Sequence, residues 1–400
     1  MLLRGGAVLV QEGATTDFRQ LDVRVESEVI TEVGRGFETS ADEDVLDCTQ
    51  KWVIPGLIDA HVHTAGLYGA IDPFLMKDIS IAEATLLAAR SARMLLHSGF
   101  TTIRDVGGRD YIDVALRNAI AAGMVSGPSM YVSGRPLCMT GGHAAPLLRS
   151  RQVDGIDEAR KGAREQLAMT VNQIKVMATG GGMSATGTPG RPQLSVAEMK
   201  AIVEEAARAG ITVAAHAHGL EGIANAIQAG VHSVEHGTYA DEATLTEMAR
   251  RGVYLVMCIG ATAFMAGAEA ASAGVPEFMQ RNCRELLEQQ KRTFRLACDI
   301  GVPIAFGSDC GTPLNPAGGT GREFEFLVEN GMDEGQAIAA ATTSAAMLLG
   351  IEGKTGSIAP GKAADILVLE HDPLRDISVL ARPEEEILCI LRKGNVVRRE

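Results

Sequence analysis

The chain has 400 residues, of which 46% are hydrophobic and 22% are charged, a composition typical of a soluble globular protein with a large core. The formal net charge of -13, without a run of Lys and Arg, excludes nucleic acid as an expected partner. The sequence contains no apolar run of about 18 residues, which a membrane span would need, and its N-terminus does not resemble a secretory signal. We therefore expect a cytoplasmic protein. Seven Cys residues without C-x-x-C spacing indicate reduced thiols.

Both ends of the chain are rich in β-strand patterns. These patterns lie at residues 2–10, 20–25, 28–33, 364–369 and 387–391. Because they flank one long region of different character, we expect the two ends to meet. The sequence therefore predicts a small β-sandwich domain formed by residues 1–53 and 357–400.

Between these ends, apolar strand patterns alternate with helical ones, which is typical of βα units and a parallel sheet. Eight strands are predicted, at residues 53–61, 101–106, 129–133, 173–178, 212–216, 233–236, 254–258 and 303–308. The clearest helices are predicted at residues 81–97, 196–209, 277–299 and 333–349. Eight closed units make a (β/α)₈ TIM barrel, which we assign to residues 54–356, with its active site at the C-terminal ends of the strands. A doubly wound open sheet is the alternative, because periodicity does not show closure.

Histidines are concentrated at the predicted strand ends. Five of the nine lie there, namely His61, His63, His216, His218 and His236. His61 and His63 share a face because side chains alternate along a strand, and imidazole is a suitable ligand for zinc and related ions. One such His is more often a hydrogen-bonded core residue, but three clusters on one barrel face favour a metal site. His216 and His218 also share a face, so spacing does not decide which of them binds metal.

Lys175 and Asp309 add two further candidates. Lys175 lies alone inside an apolar strand, where an unpaired ammonium is unfavourable. Its carbamate, formed with CO₂, would be an anionic ligand able to bridge two cations, and the alternative is a Lys paired inside the barrel. Asp309 ends the eighth predicted strand at the mouth of the barrel, where it could hold a metal and move a proton.

The ordered set of H-x-H, Lys, two His and Asp resembles the amidohydrolase superfamily over nearly the whole chain. Residues 53–63 (VIPGLIDAHVH) are similar to its entry motif, and residues 356–365 (GSIAPGKAAD) are similar to its return into the terminal sheet. Gly141-Gly142-His143, the 20-residue step between the later His residues, and residues 307–309 (GSD) most resemble the prolidase-like branch. That branch includes Xaa-Pro and Xaa-Arg/Lys dipeptidases and ochratoxin-type amidases.

This resemblance implies a binuclear metal centre. Lys175, carboxylated by CO₂, would bridge two divalent ions, usually zinc. One ion would be held by His61, His63 and Asp309, and the other by His216 and His236. The substrate class implied is a small molecule or dipeptide, and relatives of this kind often form homo-oligomers.

The resemblance also implies a mechanism of amide hydrolysis. A hydroxide bridging the two ions would attack the carbonyl carbon, while His143 polarises that carbonyl or binds the substrate. Asp309 would carry the proton to the departing nitrogen. His218 departs from the family, in which an aromatic residue that binds substrate is expected; here it could donate to a substrate carboxylate or serve as packing.

Other functions stay open at this point. Hydrolysis of a cyclic amide or deamination of an N-heterocycle, as in enzymes resembling imidazolonepropionase, is the second interpretation; such relatives often use one metal and lack the Lys of strand four. A non-catalytic barrel that serves as a binding module is the third. The glycines of residues 179–182 favour a substrate-facing loop rather than a phosphate cradle, because no Lys-Ser/Thr follows them. Arg191, Arg322 and Cys310 adjoin the candidate site and have no assigned role.

Overall fold

The computed structural model describes residues 1–12, 15–66, 79–145, 147–184 and 189–399. Its strands are β1 (Leu2–Glu12), β2 (Thr15–Glu26), β3 (Val29–Gly34), β4 (Val45–Asp47), β5 (Trp52–Pro55), β6 (Leu57–Val62), β7 (Phe100–Asp105), β8 (Ser129–Val132), β9 (Leu137–Cys138), β10 (Arg151–Gln152), β11 (Gln173–Met177), β12 (Thr212–Ala217), β13 (Ser233–His236), β14 (Tyr254–Val256), β15 (Ile366–Leu369), β16 (Ile387–Arg392) and β17 (Asn395–Arg399).

Its α-helices are α1 (Ile81–His97), α2 (Ile112–Ala121), α3 (Ile156–Ala168), α4 (Val196–Arg208), α5 (Leu220–Ala229), α6 (Glu242–Arg251), α7 (Ile259–Ala266), α8 (Ala268–Ser272), α9 (Glu277–Ile300), α10 (Arg322–Glu329), α11 (Glu334–Ala339), α12 (Ala345–Leu349) and α13 (Pro383–Glu386). A π-helical turn, Ala340–Ser344, joins α11 to α12.

The two ends of the chain form one mixed sheet of eight strands, in the order β17-β16-β15-β5-β1-β2-β3 with β4 added to β1. Strand β5 is parallel to β1 and antiparallel to β15, so it joins the N-terminal strands to the C-terminal ones. Leu3, Val8, Val23 and Ile366 belong to its own apolar core. The expectation that the chain ends meet in a sheet is confirmed.

The central region contains two parallel sheets, β6-β7-β8 and β10-β9-β11-β12-β13-β14. Backbone hydrogen bonds connect their edges. Asn172, just before β11, donates to the carbonyl of Val132 in β8 at 2.8 Å. On the other side, residues 303–309 lie between β14 and β6, because Leu255 donates to the carbonyl of Pro303 at 2.9 Å and Ala60 donates to that of Phe306 at 2.8 Å.

The strand predicted at residues 303–308 is a wrong prediction in part, because this segment forms only isolated bridges, at Ile304 and Cys310. Its backbone amides are used by other partners: Phe306 donates to the π-helical turn at 2.9 Å, and Ser308 donates to the carboxylate of Asp59 at 3.1 Å. Asp309 then adopts a φ of 54°, which ends the extended conformation. The segment has the expected position without a continuous ladder.

The strand predicted at residues 53–61 is divided at Gly56. Its first part, β5, belongs to the terminal sheet and its second part, β6, belongs to the parallel sheet. The amide of Gly56 still donates to Asp365 in the terminal sheet, whereas a Cβ at this position would lie 2.2 Å from Oγ1 of Thr101. Glycine is therefore required where the chain passes from one sheet to the other.

The four clearest predicted helices are confirmed as α1, α4, α9 and the run from α11 to α12. Ser80 caps α1 by accepting the amide of Glu83, and Ser195 forms a capping box with Glu198 at the start of α4, which satisfies backbone donors that a helix leaves unpaired. Strands 129–133 and 254–258 end earlier than predicted, and the short strands β4, β9 and β10 were not predicted. No helix in the described ranges is long and apolar enough to cross a membrane.

Candidate metal centre

The carboxyl ends of the parallel strands surround one buried cavity. Strands β6, β11, β12 and β13 each contribute to it, and so does the segment between β14 and β6. All eight residues for which the sequence predicts a metal, catalytic or substrate role line this cavity: His61, His63, His143, Lys175, His216, His218, His236 and Asp309. The topology therefore brings together side chains that are up to 248 positions apart in the sequence.

His61, His63 and Asp309 form the first half of the site. Oδ1 of Asp309 lies 3.5 Å from Nε2 of His61 and 3.4 Å from Nε2 of His63. The other nitrogen of each ring faces an oxygen, since Nδ1 of His61 is 2.7 Å from Glu235 and Nδ1 of His63 is 3.4 Å from the carbonyl of Gly107. This arrangement leaves both Nε2 atoms directed at the carboxylate.

His216, His218 and His236 form the second half. One ring nitrogen of each lies within 4.8 Å of those of the others, and His236 is equally close to His61 and Asp309, so it adjoins both halves. The ring of His143 stacks on that of His216 at 4.2 Å. Nε2 of His216 is buried and has no hydrogen-bond partner among the described residues, which marks it as an atom that needs an external partner.

Burial controls the protonation of these groups. It lowers the pKa of His63 to about 3 and that of His143 to about 4, and it raises the pKa of Asp309 to about 8. Burial also lowers the pKa of Lys175, against the opposing charges of Glu235 and Asp309. The imidazoles are therefore neutral at pH 7 with lone pairs available to a cation, and a bound cation would favour the ionised form of Asp309.

Glu235 and Arg104 form a buried ion pair that contacts the first half of the site at His61. Glu235 is fully buried, contacts Nδ1 of His61, and accepts two hydrogen bonds from Nη2 of Arg104, at 2.9 and 3.0 Å. Ser233 also donates to Glu235. Sequence reasoning missed this pair; the available signal was a charged residue within each predicted strand, which is weaker than for Lys175 because these strands also contain other polar residues.

Asp59 joins β6 to the segment that carries Asp309. Its carboxylate accepts the amide of His61 at 3.0 Å, the amide of Ser308 at 3.1 Å and the hydroxyl of Ser308 at 2.5 Å. Asp59 thus holds the backbone of His61 directly and that of Asp309 through its neighbour Ser308. This one buried carboxylate therefore fixes the distance between His61 and Asp309.

His143 and the glycine-rich loop close the other side of the cavity. Nδ1 of His143 is 3.0 Å from Oγ of Ser184, which itself accepts the amide of Gly181 at 3.2 Å. A Cβ at Gly181 would lie 2.6 Å from His143 and 2.7 Å from Nε2 of His216. The structure therefore confirms that this loop faces the site.

The remaining residues near the site have different surroundings. Arg191 is exposed, and Arg322 is exposed with its guanidinium 4.7 Å from the ring of Phe264. Cys310 is buried, and burial raises the pKa of its thiol, which disfavours a thiolate role. Residues 185–188, shortly before Arg191, lie outside the described residues.

Comparisons with known proteins identify the family to which the chain belongs. The amidohydrolase family model matches residues 52–397. Ochratoxinase of Aspergillus niger is 34% identical over 363 residues, which cover 83% of this chain and 73% of the fungal protein. A solved Xaa-Pro dipeptidase with methionine bound in its active site has a TM-score of 0.91 and 33% identity, with 99% of each chain covered. A solved prolidase in complex with N-methylphosphonate-L-proline has a TM-score of 0.92 and 30% identity, covering 100% of this chain and 99% of its own.

These similarities place the molecule among TIM-barrel-like α/β hydrolases that act on C–N bonds. The chain belongs to the amidohydrolase family, and its similarity to prolidases and ochratoxinase agrees with the prolidase-like branch predicted from the sequence.

Proposed function

We propose that this chain hydrolyses the amide bond of a dipeptide or an N-acyl amino acid in a reaction that requires divalent metal ions. The observation that carries the proposal is the convergence of six imidazoles, a lysine and a carboxylate on one cavity, with Nε2 of His216 buried and unsatisfied. The names of its relatives, a Xaa-Pro dipeptidase and an ochratoxinase, support an amide substrate of this kind.

We also propose the fold that holds this centre. Residues 54–356 form a closed (β/α)₈ barrel, and residues 1–53 with 357–400 form a β-sandwich. The backbone hydrogen bonds at both edges of the parallel sheets support closure, because they connect β8 to β11 and join β14 to β6 through residues 303–309.

The donor set fits two divalent ions, with zinc as the proposed metal. His61, His63 and Asp309 would hold one ion, and His216 and His236 the other. Lys175 would bridge them as a carbamate; the low pKa that burial gives its amine favours the neutral form, which is the form that reacts with CO₂. Such ions supply an acidified water and a polarised carbonyl group.

The protein itself orients the substrate and moves the proton. Because the hydroxyl of Ser184 accepts the amide of Gly181, it is free to donate to Nδ1 of His143, and the ring proton then resides on Nε2. His143 would thus donate a hydrogen bond to the oxygen that gains negative charge. Asp309, at the junction of the two halves of the site, would carry the proton to the leaving nitrogen.

The rest of the cavity is mostly apolar in its described part, with Thr262 and Thr312 as polar exceptions. Leu148, Met183, Met265 and Leu286 line it beside the metal candidates. An apolar substituent next to the scissile amide would bury surface there, which favours hydrophobic N-acyl amino acids over small polar ones.

A substrate panel tests the proposal. The zinc-loaded protein should hydrolyse members of a set of Xaa-Pro and Xaa-Arg dipeptides, N-acyl amino acids and ochratoxin-type amides, with release of the amine followed by mass spectrometry. Cyclic amides and N-heterocycles form the comparison set. Turnover restricted to that comparison set, or two bound ions with no hydrolysis of any linear amide, would contradict the proposal.

Replacing Asp309 by Asn tests its part in proton transfer. Asn has nearly the same size but does not accept a proton at this position, so we expect kcat to fall by about 100- to 10,000-fold. Metal analysis of D309N shows whether both ions are retained. A variant that keeps both ions and near-normal kcat would remove Asp309 from this role.

A further inference from the structure

His218 lies among the histidines of the candidate metal centre. It follows β12 by one residue, is only 4% exposed, and offers a ring nitrogen within 4.8 Å of those of His216 and His236. Its ring centroid is 4.8 Å from each of theirs, edge-on to His216 and stacked on His236. One ring nitrogen from each of the three imidazoles therefore lies in the same small region of the cavity.

Hydrogen bonds fix the orientation of His218. Its Nδ1 is 2.7 Å from the hydroxyl of Thr238, and its backbone amide donates to the hydroxyl of Thr179 at 3.0 Å. Thr238 is held in turn, because its carbonyl accepts the hydroxyl of Thr293 at 2.6 Å. With Nδ1 engaged by Thr238, Nε2 is the nitrogen left for another partner.

This arrangement is the one that metal-binding histidines adopt. Such a residue commonly donates one ring N–H to an oxygen of the protein, which fixes the tautomer and presents the other nitrogen to the ion. His61 has the same pattern, with Glu235 as the oxygen partner.

We infer that His218 is a third imidazole ligand of the ion assigned to His216 and His236. The inference rests on the metal centre of the proposed function. Together with the carbamate proposed for Lys175, three neutral nitrogens would give this ion four protein ligands of types that zinc and cobalt accept, and such an ion can still take a water as a fifth ligand.

Titration with Co²⁺ alone tests this inference on the full chain after removal of metals by a chelator. The wild type should bind two equivalents. Calorimetry and the visible absorption of Co²⁺ measure this binding. In H218F, one of the two equivalents should bind more than about 100-fold more weakly, beyond the about 10- to 100-fold loss typical of an outer partner, and its absorption should change. T238V removes only the outer partner, so its affinity loss should be smaller.

A matched control is H371Q. His371 is a surface residue, with a side chain that is 66% exposed and bonded to Glu386, so this variant should bind both equivalents as the wild type does. Circular dichroism checks that each variant is folded. If H218F does not fold, H218N replaces it, since the smaller amide can still bond to Thr238 but does not reach the ion.

The outcomes separate two failures. A wild type that binds no Co²⁺ overturns the metal centre and the inference with it. A wild type that binds two equivalents, together with a folded His218 variant of unchanged affinity and absorption, overturns the inference alone. In that case a raised KM for substrates with a free carboxylate would assign His218 to the substrate instead.

Discussion

The pair Arg104 and Glu235 shows how single residues determine the metal centre. Both are almost fully buried, and an isolated charge in such a place is strongly unfavourable, so each is tolerated because the other is present. Glu235 also contacts Nδ1 of His61, which orients that ring toward Asp309. One ion pair thus supports the fold and prepares a ligand at the same time.

Replacing Glu235 by Gln should weaken metal binding and stability together. The amide keeps the size of the side chain but leaves Arg104 without a counter-charge, which destabilises a buried pair by about 3–5 kcal/mol. It also makes His61 a poorer ligand, so Co²⁺ affinity should fall by about 10- to 100-fold. Urea unfolding and Co²⁺ titration measure the two effects.

E247Q is the matched control for this substitution. Glu247 pairs with Arg250 and Arg251 on the surface of α6, so its loss should change neither measurement noticeably. Unchanged Co²⁺ affinity in E235Q would show that Glu235 is a structural partner of Arg104 only.

At the scale of elements, the loop after β11 determines how closely the backbone approaches the site. Replacing Gly181 by Ala places a Cβ 2.6 Å from His143 and 2.7 Å from His216. Both rings are buried, so they or the loop must shift, and we expect at least about a 100-fold fall in kcat/KM, the loss that a displacement of about 1 Å can cause.

Gly353 provides the control, because a Cβ there meets nothing within 4 Å. G353A should retain wild-type kcat/KM and the same thermal midpoint. If G181A also retains them, the loop is able to move away, and its position does not control the reaction.

Much of this element structure is predictable from local sequence. Periodicity predicts α1, α4, α9 and most of the parallel strands, because it depends only on which face of each element is apolar. The division of a strand at Gly56 and the broken ladder at Phe306 are not predictable in this way. Both depend on partners far along the chain, Thr101 for the first and the π-helical turn for the second.

The same limit applies to the candidate site. The positions of His61, Lys175, His216 and Asp309 in or at the ends of predicted parallel strands are enough to predict that they share one rim, because parallel strands end on the same side. The contact between Glu235 and His61 joins residues 174 positions apart and depends on strand register. Sequence patterns do not show which residues of different strands lie opposite one another, so they do not predict this contact.

At the scale of the whole molecule, the core contains two kinds of titratable group whose effects on stability change with pH in opposite directions. Burial lowers the pKa of the site imidazoles far below 6.5, so their contribution to stability is present above pH 6.5 and is lost as the pH falls. Burial raises the pKa of Asp59 and Asp113 to about 7 and that of Asp309 to about 8. The contribution of these carboxyls is present at low pH and is lost as the pH rises through those values.

The metal-free chain should therefore lose stability between pH 6.5 and 8.5. Below pH 6.5 the imidazoles and the carboxyls act in opposite directions and partly cancel. Above it the three carboxyls still titrate, and among the site residues Lys175, whose pKa burial lowers, acts against them, so the thermal midpoint should fall as the pH rises. Saturating zinc should make this fall smaller, because the bound cation favours ionised Asp309. Thermal unfolding in chelator and in zinc, at half-unit steps of pH, measures both slopes.

D113N isolates the electrostatic cause of this dependence. Asp113 does not line the cavity that holds the predicted ligands, and it accepts the amide of Gly134 at 2.8 Å, a bond that the carbonyl of Asn can keep. Removing its titration should make the slope in chelator shallower and leave the effect of zinc unchanged. A midpoint independent of pH between 6.5 and 8.5 in metal-free wild type would mean that the buried carboxyls ionise in the folded chain at their ordinary pKa, and the electrostatic account of the core would then be wrong.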